Sequence, residues 1–290
     1  MSIPAPGPIP VVFVHGLWLH ATSWTPWVEL FTERGYAPVA PGWPGEAPTA
    51  EACRADPDAV ANRGIARVTD HFASLISDLP AKPIVIGHSF GGLIAEKLLG
   101  QGCARACVAL SPAQFKGNLA LPPAQLRTAF PVLSRPRLRT RSWIHSKDSW
   151  HAGFANGIGR EESDALYDAY AVPSPMKPLF QAATANFVLH SEASVDVHRD
   201  RGPVLVVGAG KDRTVPEATS RAAYRILSRS PGVTEWAAFP DAGHSYVVDS
   251  TWRRTADLAL DFLARHGLGP ATPAAPAAPA DPAPADPAPA

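Results

Sequence analysis

The sequence predicts an α/β-class fold: a doubly wound, mostly parallel sheet of about six strands, interrupted by an inserted helical cap. Three observations carry this. Strand-length apolar runs alternate with segments of helical period. The runs are continuously apolar rather than alternating, as strands covered on both faces must be. One long stretch, 112–200, breaks the rhythm and contains no convincing core strand.

In chain order, Val11–Val14 is a buried-strand run that stops at His15-Gly16, and Tyr36–Pro41 reads as the second strand. Pro83–Gly87, Ala106–Leu110, Pro203–Gly208 and Val233–Phe239 follow as the third to sixth. Between them, Ile65, Val68, Phe72, Leu75, Ile76 and Leu79 recur along one stripe of an amphipathic helix. Thr214-Val-Pro-Glu217 has the spacing of a capping box, with Thr214 as N-cap and Glu217 reaching back. Trp252, Ala256, Ala259, Leu260 and Leu263 form the core face of a last helix. Strand–helix alternation implies right-handed βαβ crossovers. The domain reading is therefore a core of 1–111 and 201–269, a cap of 112–200, and a tail of 270–290. Eight of the 32 prolines fall in that tail, in Ala-Pro repeats that have nothing to bury and are expected to be disordered.

Composition narrows the function. The 290 residues carry 26 Lys+Arg against 26 Asp+Glu, which argues against a dedicated nucleic-acid binder. Apolar residues are 46% of the chain, enough for a substantial core, yet no apolar stretch is long enough to span a bilayer. Met1-Ser-Ile-Pro-Ala-Pro lacks the charged and apolar regions of a secretory signal, and the three cysteines, Cys53, Cys103 and Cys107, do not make a disulfide scaffold. A soluble cytoplasmic protein is the expectation. Its oligomeric state is not legible.

The chemistry is concentrated at three strand ends. Gly87-His-Ser89-Phe-Gly91 lies directly after the third strand and directly before a helical run, the context in which G-x-S-x-G denotes a nucleophile. Such a sharp turn strains the serine backbone, and the flanking glycines leave room for it. A serine hydroxyl needs a base, and the base needs an orienting acid. Asp212 follows the fifth strand and His244 the sixth, both on loops past strand C-termini, where open α/β sheets bind ligands. The oxyanion hole needs two backbone donors. Phe90, after the nucleophile, supplies one; Leu17 N–H, with Trp18 as its neighbouring alternative, is the candidate for the other. His15 reads as a structural loop histidine. Trp18 and His20 are candidate substrate contacts, and Trp24 and Trp43 lie on loops near the same face.

These residues together resemble the α/β-hydrolase superfamily over roughly residues 10–268: His15-Gly16, Gly87-His-Ser-Phe-Gly-Gly92, Gly210-Lys-Asp212 with Val215-Pro216, and Gly243-His244. The resemblance implies a serine hydrolase with Ser89, Asp212 and His244 as triad, working through an acyl-enzyme on a small-molecule carboxylic ester or related acyl bond, without cofactor or metal. His15-Gly-Leu-Trp-Leu-His20 with Trp24 looks like the plant methylesterase and hydroxynitrile-lyase branch, with spacing one residue longer. Ser111 stands where some members keep their acid, so the acid here is expected to be Asp212. The same triad also serves perhydrolases, carbon–carbon bond hydrolases and lyases, and the fold can act as a non-catalytic binding module. A serine nucleophile argues against the aspartate-dependent epoxide hydrolases and haloalkane dehalogenases of this fold.

The cap has its own signature. From Lys97 to Lys147 there are nine basic residues and no acidic one: Lys97, Arg105, Lys116, Arg127, Arg135, Arg137, Arg139, Arg141 and Lys147. Either this is a solvated face with internal salt bridges, or Arg135–Arg141 steers an anionic substrate. Phe115, Leu119, Leu121, Phe130, Trp143, Trp150, Phe154 and Phe180 are candidates for cap core or pocket lining.

Overall fold

The computed structural model describes residues 7–270; the Pro/Ala-rich tail from 271 onward and the Met1–Pro6 stretch lie outside the described residues. Six parallel strands form the central sheet: β1 (Pro10–Val14), β2 (Ala37–Val39), β3 (Ile84–His88), β4 (Ala106–Leu110), β5 (Val204–Ala209) and β6 (Thr234–Phe239). Their spatial order is β2-β1-β3-β4-β5-β6, every neighbouring pair parallel. All six expected strands are present, each within three residues of the predicted ends. β1, β3, β4 and β5 are buried along their whole length, which is why their sequences are unbroken apolar runs.

Alternation of side chains sorts the core into two layers. Val11, Phe13, Ile84, Ile86 and Val108 face helices α1 (Thr25–Glu33) and α10 (Trp252–Arg265). Val12, Val14, Val85 and Val206 face α3 (Ile65–Ser77), α4 (Phe90–Gly100) and α9 (Glu217–Leu227). Each fully buried Val or Ile contributes roughly 1.5–3 kcal/mol. A short helix, α2 (Ala50–Ala55), bridges toward α3. Of the predicted stripe, Ile65, Val68, Phe72 and Ile76 are buried in α3; Leu75, at the margin of the face, is exposed, and Leu79 lies half-buried beyond the end of the helix. Among the described residues, no helix is long and apolar enough to cross a membrane.

Residues 112–200 add no strand to the sheet. They carry α5 (Pro123–Leu133), α6 (Lys147–Gly153), α7 (Arg160–Tyr170), α8 (Lys177–Thr184) and a two-stranded antiparallel ribbon, Ser142–Trp143 with Ser174–Pro175. Phe115, Trp150, Phe154 and Met176 from this segment join the core layer that contains α3, α4 and α9.

The capping box expected at Thr214 does not form. α9 begins only at Glu217, its N-cap is Pro216 without a side-chain bond, and Glu217 pairs instead with Arg221 at 2.6 Å. The reason is local competition: Asp212 Oδ1 accepts the N–H groups of Thr214 (2.8 Å) and Val215 (2.7 Å), which fixes that stretch as a turn.

One buried group is held neutral. Glu96 of α4 is 2% exposed, and neither carboxylate oxygen has a hydrogen-bond partner. Burial pushes its carboxyl well above the usual range, with Arg201 opposing. The folded state thus holds a proton that the unfolded chain releases, so stability is full at low pH and is lost as pH rises above the ordinary carboxylate value toward the raised one. Glu96→Gln is expected to melt hotter than wild type at about pH 8 and indistinguishably at about pH 4, as thermal unfolding would read.

Candidate active site

The turn after β3 bears the candidate nucleophile. Ser89 has φ +57° and ψ −122°, a left-handed conformation that a β-carbon disfavours. Neighbouring glycines make it feasible. A Cβ at Gly87 would lie 2.0 Å from Gly91 O, and one at Gly91 would lie 2.0 Å from Val14 O. The strained residue is anchored through its backbone: Ser89 N donates to Leu110 O (2.9 Å), and Ser89 O accepts from Gly92, Leu93 and Ala113 at 2.9–3.2 Å. Ser89 therefore sits at the N-terminus of α4, against the edge where the parallel strands end.

The loop after β1 abuts it. A Cβ at Gly16 would meet Ser89 Cβ at 2.6 Å and Ser89 Oγ at 3.2 Å, so the Gly16–Leu17 turn lies directly beside the hydroxyl. Of the two backbone donors weighed on this loop, Trp18 N is already spent on Ser174 Oγ at 2.6 Å. Leu17 N and Phe90 N donate to no other group among the described residues. Trp18, at φ +68°, turns its ring into the adjoining cleft.

On the neighbouring strand ends, His244 Nδ1 donates to Asp212 Oδ2 at 2.6 Å, with both side chains fully buried. With Oδ1 taking two backbone N–H groups, the Asp212 carboxylate is held on both oxygens. His244 Nε2 is buried and has no hydrogen-bond partner. The imidazole is boxed by aromatic groups: His88 lies 4.4 Å away, centroid to centroid, and the Phe154 edge 5.0 Å away, itself stacked on Trp150 at 4.0 Å. Burial, reinforced by His244, pushes the His88 imidazole well below its usual value, so it packs as a neutral ring.

The insertion reaches both loops. Thr214 Oγ1 donates to Gly153 O (3.1 Å), Asn156 Nδ2 to Lys211 O (2.8 Å), and Thr128 Oγ1 to Arg213 O (2.8 Å). The Gly157 and Gly243 backbones touch so closely that a Cβ on either would come within 2.7 Å of the other. Sequence reasoning did not find Asn156, Phe154, Thr128 or His88 as neighbours of the triad candidates. The only signal was the Trp150/Phe154 helical spacing, which core packing explains equally well.

A cleft of about 690 Å³, including its open mouth, begins at Ser89 and Phe90. Its walls include Trp18, Leu121, Leu126, Leu133, Leu179 and Val215, and its lining carries no charged side chain. Of the two substrate-contact candidates, Trp18 lines this cleft and His20 does not. His20 is spent on Thr22 Oγ1 (2.8 Å) and Ala47 O (3.0 Å) and lines a separate groove. Trp24 and Trp43 are buried away from the cleft: Trp24 stacks on Phe13 at 5.0 Å, and Trp43 Nε1 donates to His15 O at 3.0 Å. Arg135, Arg137, Arg139 and Arg141 do not line it either. Among the described residues, no cluster of three or more His, Cys, Asp or Glu side chains has the arrangement to hold a metal ion.

The cleft, the strained serine and the Asp–His pair at the carboxyl edge of a parallel sheet define the architecture of the α/β hydrolases. The chain belongs to that family: the sequence profile of the alpha/beta hydrolase family matches residues 11–258. No curated protein matches the sequence significantly. Among solved structures, a methylesterase from Arabidopsis is similar at 17% identity and a TM-score of 0.59, covering 89% of this chain and 99% of that one. A monoacylglycerol lipase from Paleococcus ferrophilus shares 21% identity with a TM-score of 0.61, covering 90% and 96%. An extracellular α/β-hydrolase from a Paenibacillus species shares 16% with a TM-score of 0.64, covering 88% and 98%. At these identities the likeness is one of fold.

Behind the Gly16–Leu17 turn lies a buried pair of titratable side chains. His15 Nε2 is 3.0 Å from Glu46 Oε2, with side chains 3% and 4% exposed, and Glu46 Oε1 accepts from Ala21 N at 2.9 Å. Burial opposes both charges, yet each holds the other: His15 is raised and Glu46 lowered from their usual values. The Glu46 contribution is present above the unfolded carboxylate value and lost as pH falls through its lowered value. The His15 contribution is complete below the unfolded imidazole value and lost as pH rises through its raised value. Glu46→Gln leaves His15 buried without its counter-charge and is expected to cost about 3 kcal/mol, measured by denaturant unfolding near neutral pH.

Proposed function

We propose that this chain is a serine hydrolase that cleaves a carboxylic ester through an acyl-enzyme on Ser89. The observation that carries the reading is the use of the His244 ring. Asp212 Oδ2 accepts a hydrogen bond from Nδ1–H at 2.6 Å, which leaves the lone pair on a buried Nε2 with no competing partner. A neutral imidazole in that tautomer is a general base. It would accept the Ser89 proton as Oγ attacks the ester carbonyl. Asp212 stabilises the resulting imidazolium, and Leu17 and Phe90 N–H groups receive the oxyanion. The imidazolium then protonates the departing alcohol. A water, deprotonated by Nε2, attacks the acyl-serine; collapse returns the proton to Ser89 and releases the acid. Ser89 Oγ and His244 Nε2 are not hydrogen-bonded here; in resting hydrolase sites this contact commonly tightens only with substrate.

The cleft supports a neutral, largely apolar ester. Segment 112–200 is read as a cap, because α5 and α8 wall the cleft over Ser89 and exclude water. The uncharged lining gives no support to Arg135–Arg141 as direct ligands of a carboxylated substrate.

Labelling with a fluorophosphonate, followed by intact mass, is expected to give one adduct on wild type and none on Ser89→Ala. Asp212→Asn should keep the fold and lower kcat on a short-chain ester by about 10⁴-fold, since the base is left in the wrong tautomer. Equal labelling of Ser89→Ala, or undiminished turnover by Asp212→Asn, would overturn the assignment.

A further inference from the structure

The cap exposes apolar side chains that a water-facing surface does not need. Leu119 is 76% exposed, Phe130 67%, Phe187 88% and Leu189 81%, with Leu121 and Leu126 at 59% and 50%. They belong to one crest. Leu126 and Phe130 are one helical turn apart on α5, and Leu119 and Leu121 lead into it. The loop holding Phe187 and Leu189 is tied alongside: Lys116 Nζ donates to Val188 O (2.8 Å) and Leu189 O (2.7 Å), and Gly117 N to Asn186 Oδ1 (2.7 Å). Because Leu121 and Leu126 also line the Ser89 cleft, the crest is continuous with the cleft mouth.

The α5 half of the crest and the turn that follows it carry charge of one sign. Arg127, Arg135, Arg137, Arg139 and Arg141 are all exposed, and among the described residues none is within ion-pair distance of a carboxylate. The salt-bridged alternative weighed for this segment therefore fails for these five. Arg160, Arg253 and Arg265 are exposed and paired with carboxylates, whereas Arg34, Arg67, Arg213, Arg225 and Arg229 are exposed and, among the described residues, unpaired; what sets the belt apart is its density, Arg135, Arg137, Arg139 and Arg141 falling on alternate positions.

We propose that this face docks on an anionic lipid surface, the crest inserting among acyl chains while the arginine belt sits at the headgroups. Exposed apolar side chains rimmed by unpaired cations are the combination that such an interface recognises. A second copy of the chain fits less well, since a two-fold contact would set the unpaired arginines of each copy against those of the other. The inference goes beyond the ester chemistry and does not depend on it; it delivers the cleft mouth to water-insoluble molecules.

Vesicle co-sedimentation tests it without reading activity. Full-length protein is mixed with phosphatidylcholine vesicles, with or without phosphatidylglycerol. Wild type is expected to pellet with the anionic vesicles and be released by high salt. The triple variant Phe130→Ser/Phe187→Ser/Leu189→Ser and the quadruple variant Arg135→Gln/Arg137→Gln/Arg139→Gln/Arg141→Gln should each bind at least about tenfold more weakly. None of these seven residues lines the cleft, so thermal melting should match wild type and certify the folds. Wild type remaining in the supernatant, unchanged pelleting of either variant, or equal pelleting on uncharged vesicles would overturn the proposal. So would a dimer in sedimentation velocity that the triple variant dissolves.

Discussion

Everything at the carboxyl edge of the sheet rests on how closely backbones approach one another around Ser89. Residues 87 and 91 meet carbonyl oxygens where any side chain would clash, and Gly16 presses on Ser89 itself. This crowding allows α4 to start directly at the end of β3, with its first N–H groups beside the serine hydroxyl. It also fixes the distance between two loops that are 70 residues apart in sequence. The strain at Ser89 is retained because its carbonyl takes three N–H groups and its own N–H a fourth bond. A relaxed turn would surrender all of these contacts together.

Around that turn, burial sorts titratable groups by whether they have a partner. His88 and His145 have no opposite charge and are held neutral; burial takes the His145 imidazole down to about 3. Burial likewise pushes Glu96 up, against the pull of Arg201, whereas His15 and Glu46 meet and shift each other toward their charged forms. Among the described residues the interior therefore hosts the His15–Glu46 pair, behind the Gly16–Leu17 turn, and an Asp–His pair whose buried histidine has a neutral ring for a neighbour.

The fold was legible because strands covered on both faces write themselves as unbroken apolar runs, which gives β1, β3, β4 and β5; the half-covered edge strands β2 and β6 follow only from the alternation with helices. Ser89, Asp212 and His244 were legible for a related reason: each directly follows a strand, so local sequence places it on one edge. What surrounds them was not. Glu46 meets His15 across 31 residues, and Phe154 meets His244 across 90, through contacts that no local pattern encodes. Thr214 was misread because a capping-box spacing is also what an Asx turn on Asp212 looks like. The cap aromatics could be counted but not sorted; Phe115, Trp150 and Phe154 went inward, while Leu119 and Phe130 stayed in water.

The stitching of 112–200 onto the Asp212 and His244 loops has a consequence for evolution. Caps of this kind are natural units of exchange, because swapping one re-shapes a pocket without touching the barrel of reactions beneath it. Here the exchangeable part also carries Gly153, Asn156 and Gly157, which touch the Asp212 and His244 loops. The wall of the cleft and the setting of the Asp212–His244 pair are thus inherited together. A chimera bearing a foreign cap would have to re-create those few contacts before it could inherit a new substrate, and diversification in this lineage should proceed by point changes along the cleft rather than by wholesale replacement of the segment.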